Sequence, residues 1–153
     1  MNKPAARSSR SIAREKALQA LYQVDIADAD PKEALSVAWG SDEEAPAPES
    51  DALQFSEDLV MGVLGKRADL DAAIGKNSRN WRVERMSRID RNILRLAVFE
   101  LTRPEPLPSN IILNEAVELA KRFGSVESRA FINGILDAMV KAASAHGDSE
   151  PCN

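Results

Sequence analysis

An all-α fold is predicted for this chain of 153 residues, and three observations predict it. Nearly every periodic stretch repeats its apolar residues at helical spacing, no run of alternating β-branched residues stands out, and Ser, Asp and Pro stand where helices would begin. The first helix is expected from about Ser9 to Ile26, where Ala13, Ala17, Ala20, Leu21 and Val24 form one stripe. Asp30-Pro31-Lys32-Glu33 then reads as a start: Asp30 caps, Pro31 loses nothing at the first helical position, and Glu33 can reach back. That short helix should end near Trp39-Gly40. Residues 41–50, rich in acid, Ala and Pro, read as a linker, because Pro46 and Pro48 forbid a continuous helix.

A third helix is expected from about Asp51 to Lys66, with Ala52, Phe55, Leu59 and Val63 on one face, and a short fourth from about Ala68 to Lys76, with Leu70, Ala73 and Ile74. Residues 77–85 are polar, with Trp81 as their large apolar anchor. Ser87 to Asp90 has capping-box spacing and opens a strong helix with Ile89, Ile93, Leu96, Ala97, Glu100 and Leu101 in core period. Pro104, Pro106 and Pro108 end it. Two more helices follow, Ser109 to Phe123 and Ser125 to about Ala143, with Gly124 as a left-handed C-cap and Ser125 as an N-cap between them. Residues 144–153 read as a disordered tail. The expectation is one helical domain over 1–143, built of two small bundles at about 9–66 and 68–143 that share a core.

Composition excludes several function classes. One Cys and one His, Cys152 and His146, both lie near the C-terminal end, so a disulfide, a thiolate metal site or histidine acid/base chemistry is not expected. No apolar run approaches the ~18 residues of a membrane span and no signal-peptide core follows the first basic residues, which predicts a cytoplasmic protein with no membrane contact. The net charge of -4 argues at first against a nucleic-acid partner. It is a cancellation between blocks: residues 1–24 carry +4, 25–60 carry -10, 61–104 carry +5 and 105–153 carry -3.

The basic blocks hold rows of arginine. Arg7, Arg10 and Arg14 are spaced three and four apart, and Arg88, Arg91 and Arg95 repeat that spacing, with Arg79, Arg82 and Arg85 leading in. Such rows suit phosphate oxygens and unpaired bases, and Tyr22, two turns beyond Arg14, could serve as a base platform. They equally fit a solvated face or a partner for the acidic block. An enzyme reading finds little support. Glu115 and Glu118 are placed as dipole and ion-pair partners of their own helix, and Gly62 and Gly65 lack phosphate-loop spacing. Gly134, inside a helical pattern, suggests a close helix contact or an exposed partner surface.

Four stretches resemble one family. Ala13 to Gln23 (AREKALQALYQ), Asp90 to Leu101 (DRNILRLAVFEL), Asn114 to Gly124 (NEAVELAKRFG) and Phe131 to Asp137 (FINGILD) are similar, in order and spacing, to the NusB-type antitermination factors. The resemblance implies two three-helix bundles and a protein that pairs with NusE, a small-subunit ribosomal protein, to bind boxA RNA of nascent ribosomal RNA within the RNA polymerase antitermination complex. It implies no enzyme activity and no cofactor. Carried over by position, Arg7, Arg10, Arg14, Tyr22, Arg91, Arg95 and Phe131 face RNA, and Glu84, Asp90 and Glu127 face the protein partner. It also implies that the first and fifth helices are neighbours, so that their basic rows make one RNA surface. Replacing Arg14 or Arg95 by Ala is then expected to weaken RNA binding while leaving helix content intact. A homodimer that hides the RNA face stays open at this point. So do the alternatives of a protein-interaction adaptor, a helix-turn-helix DNA binder, and a relative of the RNA-binding module of ribosomal-RNA methyltransferases. The last is disfavoured because no cofactor domain follows Asn153.

Overall fold

A computed structural model of the chain describes residues 8–41, 48–79 and 81–149. Arg7, most of the acidic linker and the last four residues lie outside them. Among the described residues the regular structure is helical throughout, seven α-helices and one 3₁₀ turn. The chain divides into two compact units, the first ending at Gly65 and the second beginning at Lys66.

The first unit is built on α1 (Ser9–Ala27), which packs against both α2 (Pro31–Gly40) and α3 (Ser50–Gly65). Ser8 caps α1 by accepting the Ser11 N–H on its Oγ at 3.1 Å. The buried stripe is dominated by Ala13, Ala17, Ala20 and Leu21, with Leu18 added, while Val24 is half-buried. Three alanines in that stripe let neighbouring backbones approach closely. The helix stops at Asp28, whose left-handed φ of 52° is tolerated by a short polar side chain and whose N–H bonds to the Val24 carbonyl at 3.0 Å. Asp30 then caps α2 as its sequence suggests, accepting the Glu33 N–H at 3.1 Å ahead of Pro31. On α3, Ala52, Phe55, Leu59, Val60 and Val63 are buried. Trp39 Nε1 donates to Ser56 Oγ at 3.0 Å, tying α2 to α3.

In the second unit α5 (Arg88–Leu101) lies in the middle, packed against α4 (Arg67–Asn77), α6 (Ser109–Phe123) and α7 (Ser128–Ser149). Ser87 caps it by accepting the Asp90 N–H at 3.1 Å. From Asn92 to Glu100 it is buried without a break, as befits a helix with neighbours on several sides. The surrounding core is Leu70 and Ile74 of α4, Ile112, Ala116, Leu119 and Ala120 of α6, and Ile132, Ile135 and Leu136 of α7.

Three local expectations change. Trp81 does not anchor the 77–85 segment: it is 55% exposed, and Val83 and Met86, one 3₁₀ turn apart, are the buried side chains. Gly124 is extended, at φ -89° and ψ -177°, so no left-handed cap requires it. Space requires it instead, since a Cβ there would lie 2.5 Å from Ser128 Oγ and 2.8 Å from the Ala120 carbonyl. That Oγ accepts the Ser125 N–H at 2.9 Å, so Ser125 and Ser128 hold the turn and α7 begins at Ser128. Finally, α7 runs past Ala143 to Ser149, where a disordered tail was expected. Ala142, Ala143 and Ala145 favour the helix and no proline intervenes before Pro151.

The two glycines should answer oppositely to alanine. Gly124→Ala, which overpacks the α6–α7 turn, is expected to cost about 1–3 kcal/mol. Gly134→Ala, whose Cβ meets nothing within 4 Å in mid-helix, should stabilise by about 1 kcal/mol. Urea unfolding of the two variants reads both.

Candidate nucleic-acid interface

The first unit holds two arginines over one ring. Arg10 and Arg14 stand one turn apart on α1, and α3 brings Phe55 beneath both, with guanidinium carbons 4.4 and 5.2 Å from the ring centroid. Contact with a π face orients a guanidinium without cancelling its charge. Arg10 is exposed and makes no ion pair among the described residues, whereas Arg14 is only 3% exposed. Tyr22, farther along α1, is half-buried. An outward guanidinium stacked on a buried ring suits a phosphate or a base plane.

The second unit treats its arginines differently. Arg95 is buried, and its Nε and Nη2 donate to the two carboxylate oxygens of Asp71 on α4 at 2.7 and 2.8 Å, while Nη1 donates to Asn92 Oδ1 at 3.3 Å. Arg91 is half-buried and its Nη1 reaches the Val83 carbonyl at 3.5 Å. The helical row from Arg88 to Arg95 therefore starts exposed and ends inside the unit, because α5 sinks among its neighbours after its first turn. Arg95 is part of the packing of α4 on α5.

Two recesses flank the 3₁₀ turn, Val83–Arg85. One, of about 850 Å³, is lined by Arg79, Trp81, Arg82, Glu84, Arg85 and Asp71, among others. The other, of about 210 Å³, gathers Asp90, Glu127 and Phe131 with Trp81 and Arg85. Asp90 Oδ1 is buried there with no hydrogen-bond partner among the described residues. The structure thus brings Asp90, Glu127 and Phe131 together from α5, the α6–α7 turn and α7, and sets Glu84 in the neighbouring recess. The sequence reading takes Trp81 as an apolar anchor and Arg79, Arg82 and Arg85 as a lead-in to the α5 row. The usable signal was a lone tryptophan between arginines in a segment otherwise polar. Glu118 pairs with Lys121 at 3.2 Å on the surface of α6, as its spacing suggests. Among the described residues no three His, Cys, Asp or Glu converge as a metal site, and no helix is long and apolar enough to cross a membrane.

Fold and recesses together define an all-helical protein that offers arginine, aromatic and carboxylate surfaces. Comparison with known proteins makes the class specific. The NusB family model matches residues 11–141. The transcription antitermination protein NusB of Myxococcus xanthus is 49% identical over 134 residues, covering 88% of this chain and 96% of that protein, and that of Geotalea uraniireducens is 46% identical over 134 residues, covering 85% and 92%. Among solved structures, NusB of T. maritima superposes with a TM-score of 0.76 at 31% identity, covering 92% of this chain and 93% of that one. A crystal structure of NusB and NusE in complex with dsRNA superposes with a TM-score of 0.76 at 26% identity, covering 88% and 97%. The chain belongs to the NusB family of transcription antitermination proteins, a family of non-enzymatic factors.

The bidentate pair gives Arg95 a part in stability, beside the RNA contact expected of it. Losing charged hydrogen bonds to Asp71 should lower stability by about 1.5–3 kcal/mol. Arg95→Lys should recover only part of it, since an ammonium cannot match the fork. Denaturant midpoints of the two variants measure this.

Proposed function

We propose that this chain binds boxA RNA of nascent ribosomal RNA transcripts together with NusE, in the cytoplasm and as part of the RNA polymerase antitermination complex. It works by charge and base stacking, without covalent chemistry. The observation that carries the reading is Arg10, exposed and unpaired among the described residues, held 4.4 Å over Phe55. Family membership and the solved relative in complex with NusE and dsRNA support it. On the RNA side, Arg7 and Arg10 contact phosphate, Tyr22 and Phe131 offer rings to bases, and Arg91 adds charge. Arg14 and Arg95, both buried, act by position: Arg14 shares the Phe55 ring with Arg10, and Arg95 fixes α4 on α5 through Asp71.

On the partner side, Asp90 and Glu127 line one recess with Phe131, and Glu84 stands beside it.

Titrating boxA RNA with and without NusE over a range of salt tests the reading. Binding that strengthens with NusE and falls with salt is expected, and Arg10→Ala should reduce the salt slope by about one while leaving NusE affinity unchanged. A slope near zero overturns the phosphate contacts. NusE binding without any gain in RNA affinity favours an adaptor, and preference for duplex DNA favours a helix-turn-helix binder. Sedimentation of the chain before and after adding NusE and RNA reads any homodimer that hides the RNA face.

Asp90→Asn tests the partner side. It keeps the shape of the side chain and removes the charge, so NusE affinity in calorimetry should fall about tenfold or more with helix content unchanged. An unaltered affinity would remove Asp90 from the interface.

A further inference from the structure

We infer that the larger recess beside the 3₁₀ turn is an additional contact for single-stranded RNA, in which Trp81 stacks on an unpaired base and Arg79, Arg82 and Arg85 take the flanking phosphates. The inference rests on the RNA-binding reading above and adds to it a site, centred on Trp81, that the family's motifs do not assign.

Four observations carry it. Trp81 is 55% exposed in a segment already anchored by Val83 and Met86, so the fold does not need the ring there. The three guanidiniums lie within seven residues of one another, all exposed and without an ion pair among the described residues. Arg95, by contrast, is matched to its carboxylate. Like charges gathered without counter-charge attract an anion. Among the described residues two carboxylates line the recess: Asp71, which already takes both bonds from Arg95, and Glu84. The positive charge of the recess is thus left largely uncancelled.

The recess is also preformed. Ser78 Oγ donates to the Trp81 carbonyl at 2.8 Å, and the Arg85 and Met86 N–H groups bond to the Arg82 and Val83 carbonyls at 2.9 and 3.2 Å. These bonds fix the backbone that carries ring and cations before any ligand arrives. An aromatic face flanked by arginines suits a base and its phosphates, since stacking tolerates any base and guanidinium forks match phosphate oxygens. The centre of a protein interface, by contrast, is depleted of charge. Trp81 and Arg85 line the smaller recess as well, beside Asp90 and Glu127. RNA held on one side of the turn would therefore border a protein partner held on the other, which gives NusE and RNA a direct way to strengthen each other.

Fluorescence tests this with the whole chain. The protein has two tryptophans, and Trp39→Phe leaves Trp81 as the sole tryptophan, excited selectively over Tyr22 at long wavelength. Adding a single-stranded boxA oligonucleotide should quench that emission. Trp81→Ala should weaken RNA binding about tenfold, more than it weakens NusE binding, and Trp81→Phe should keep most of the RNA affinity. Arg82→Gln with Arg85→Gln should lower the salt slope by about two, and Glu84→Gln should tighten RNA binding. If the parent chain binds RNA, yet Trp81 emission does not change and Trp81→Ala and Trp81→Phe bind as tightly as the parent, the inference is overturned. It is equally overturned if Trp81→Ala loses NusE instead of RNA, which would make the recess a protein site. If the parent chain itself binds no RNA at low salt, with or without NusE, the RNA-binding reading has failed and this inference falls with it. Should Trp81→Ala lose helix content, Trp81→Phe and the quenching titration decide alone.

Discussion

From Asn92 to Glu100 every residue of α5 is buried, and a guanidinium on such a helix has to be answered by a carboxylate. Asp71 answers Arg95 with both oxygens at 2.7 and 2.8 Å, and Asn92 takes a third donor. This constraint orders much of the second unit. It ties α4 to the central helix and neutralises a carboxylate that would otherwise oppose anions in the adjoining recess. It also separates structural arginines from those open to a ligand. The pair is worth most where the surroundings are driest, and Arg95, with 7% of its side chain exposed against 29% for Asp71, sits on that side.

The first unit solves a similar problem with a ring. Among the described residues no carboxylate pairs with Arg10. Phe55, buried among the core residues of α3, offers its face to both Arg10 and Arg14. A π face holds a cation in place and leaves its N–H edge charged, whereas the Asp71 carboxylate absorbs the charge of Arg95. For a protein of the NusB family, phosphate attraction then depends on particular side chains more than on the net charge of -4.

Much of the fold was legible because helix caps and apolar stripes are local. The Asp30-Pro31 and Ser87-Asp90 caps form as their spacing says, and the stripe of α3 is buried as read. The misreadings share a cause, which is that spacing shows which residues lie on one face and not what that face meets. Trp81 looked like an anchor because it is large, yet Val83 and Met86 occupy the interior positions of the turn. Gly124 looked like a left-handed cap because it follows a helix, whereas the neighbouring Ser128 hydroxyl is what leaves no room for a Cβ. The arginine row of α5 looked uniform because its members share a helical face, but its two ends meet solvent and Asp71.

By itself the sequence determined that the chain is helical, where most helices begin, that its opposite charges lie in separate blocks, and which family it belongs to. These follow from residue identity over a few turns of chain, where propensity and capping act. Only the tertiary structure decided which arginines remain available, that Asp90, Glu127 and Phe131 gather at one recess, and that Trp81 stands exposed between two recesses. Those outcomes depend on desolvation and on charges brought together from distant parts of the chain. Asp71 and Arg95, 24 residues apart, are partners only because α4 packs on α5.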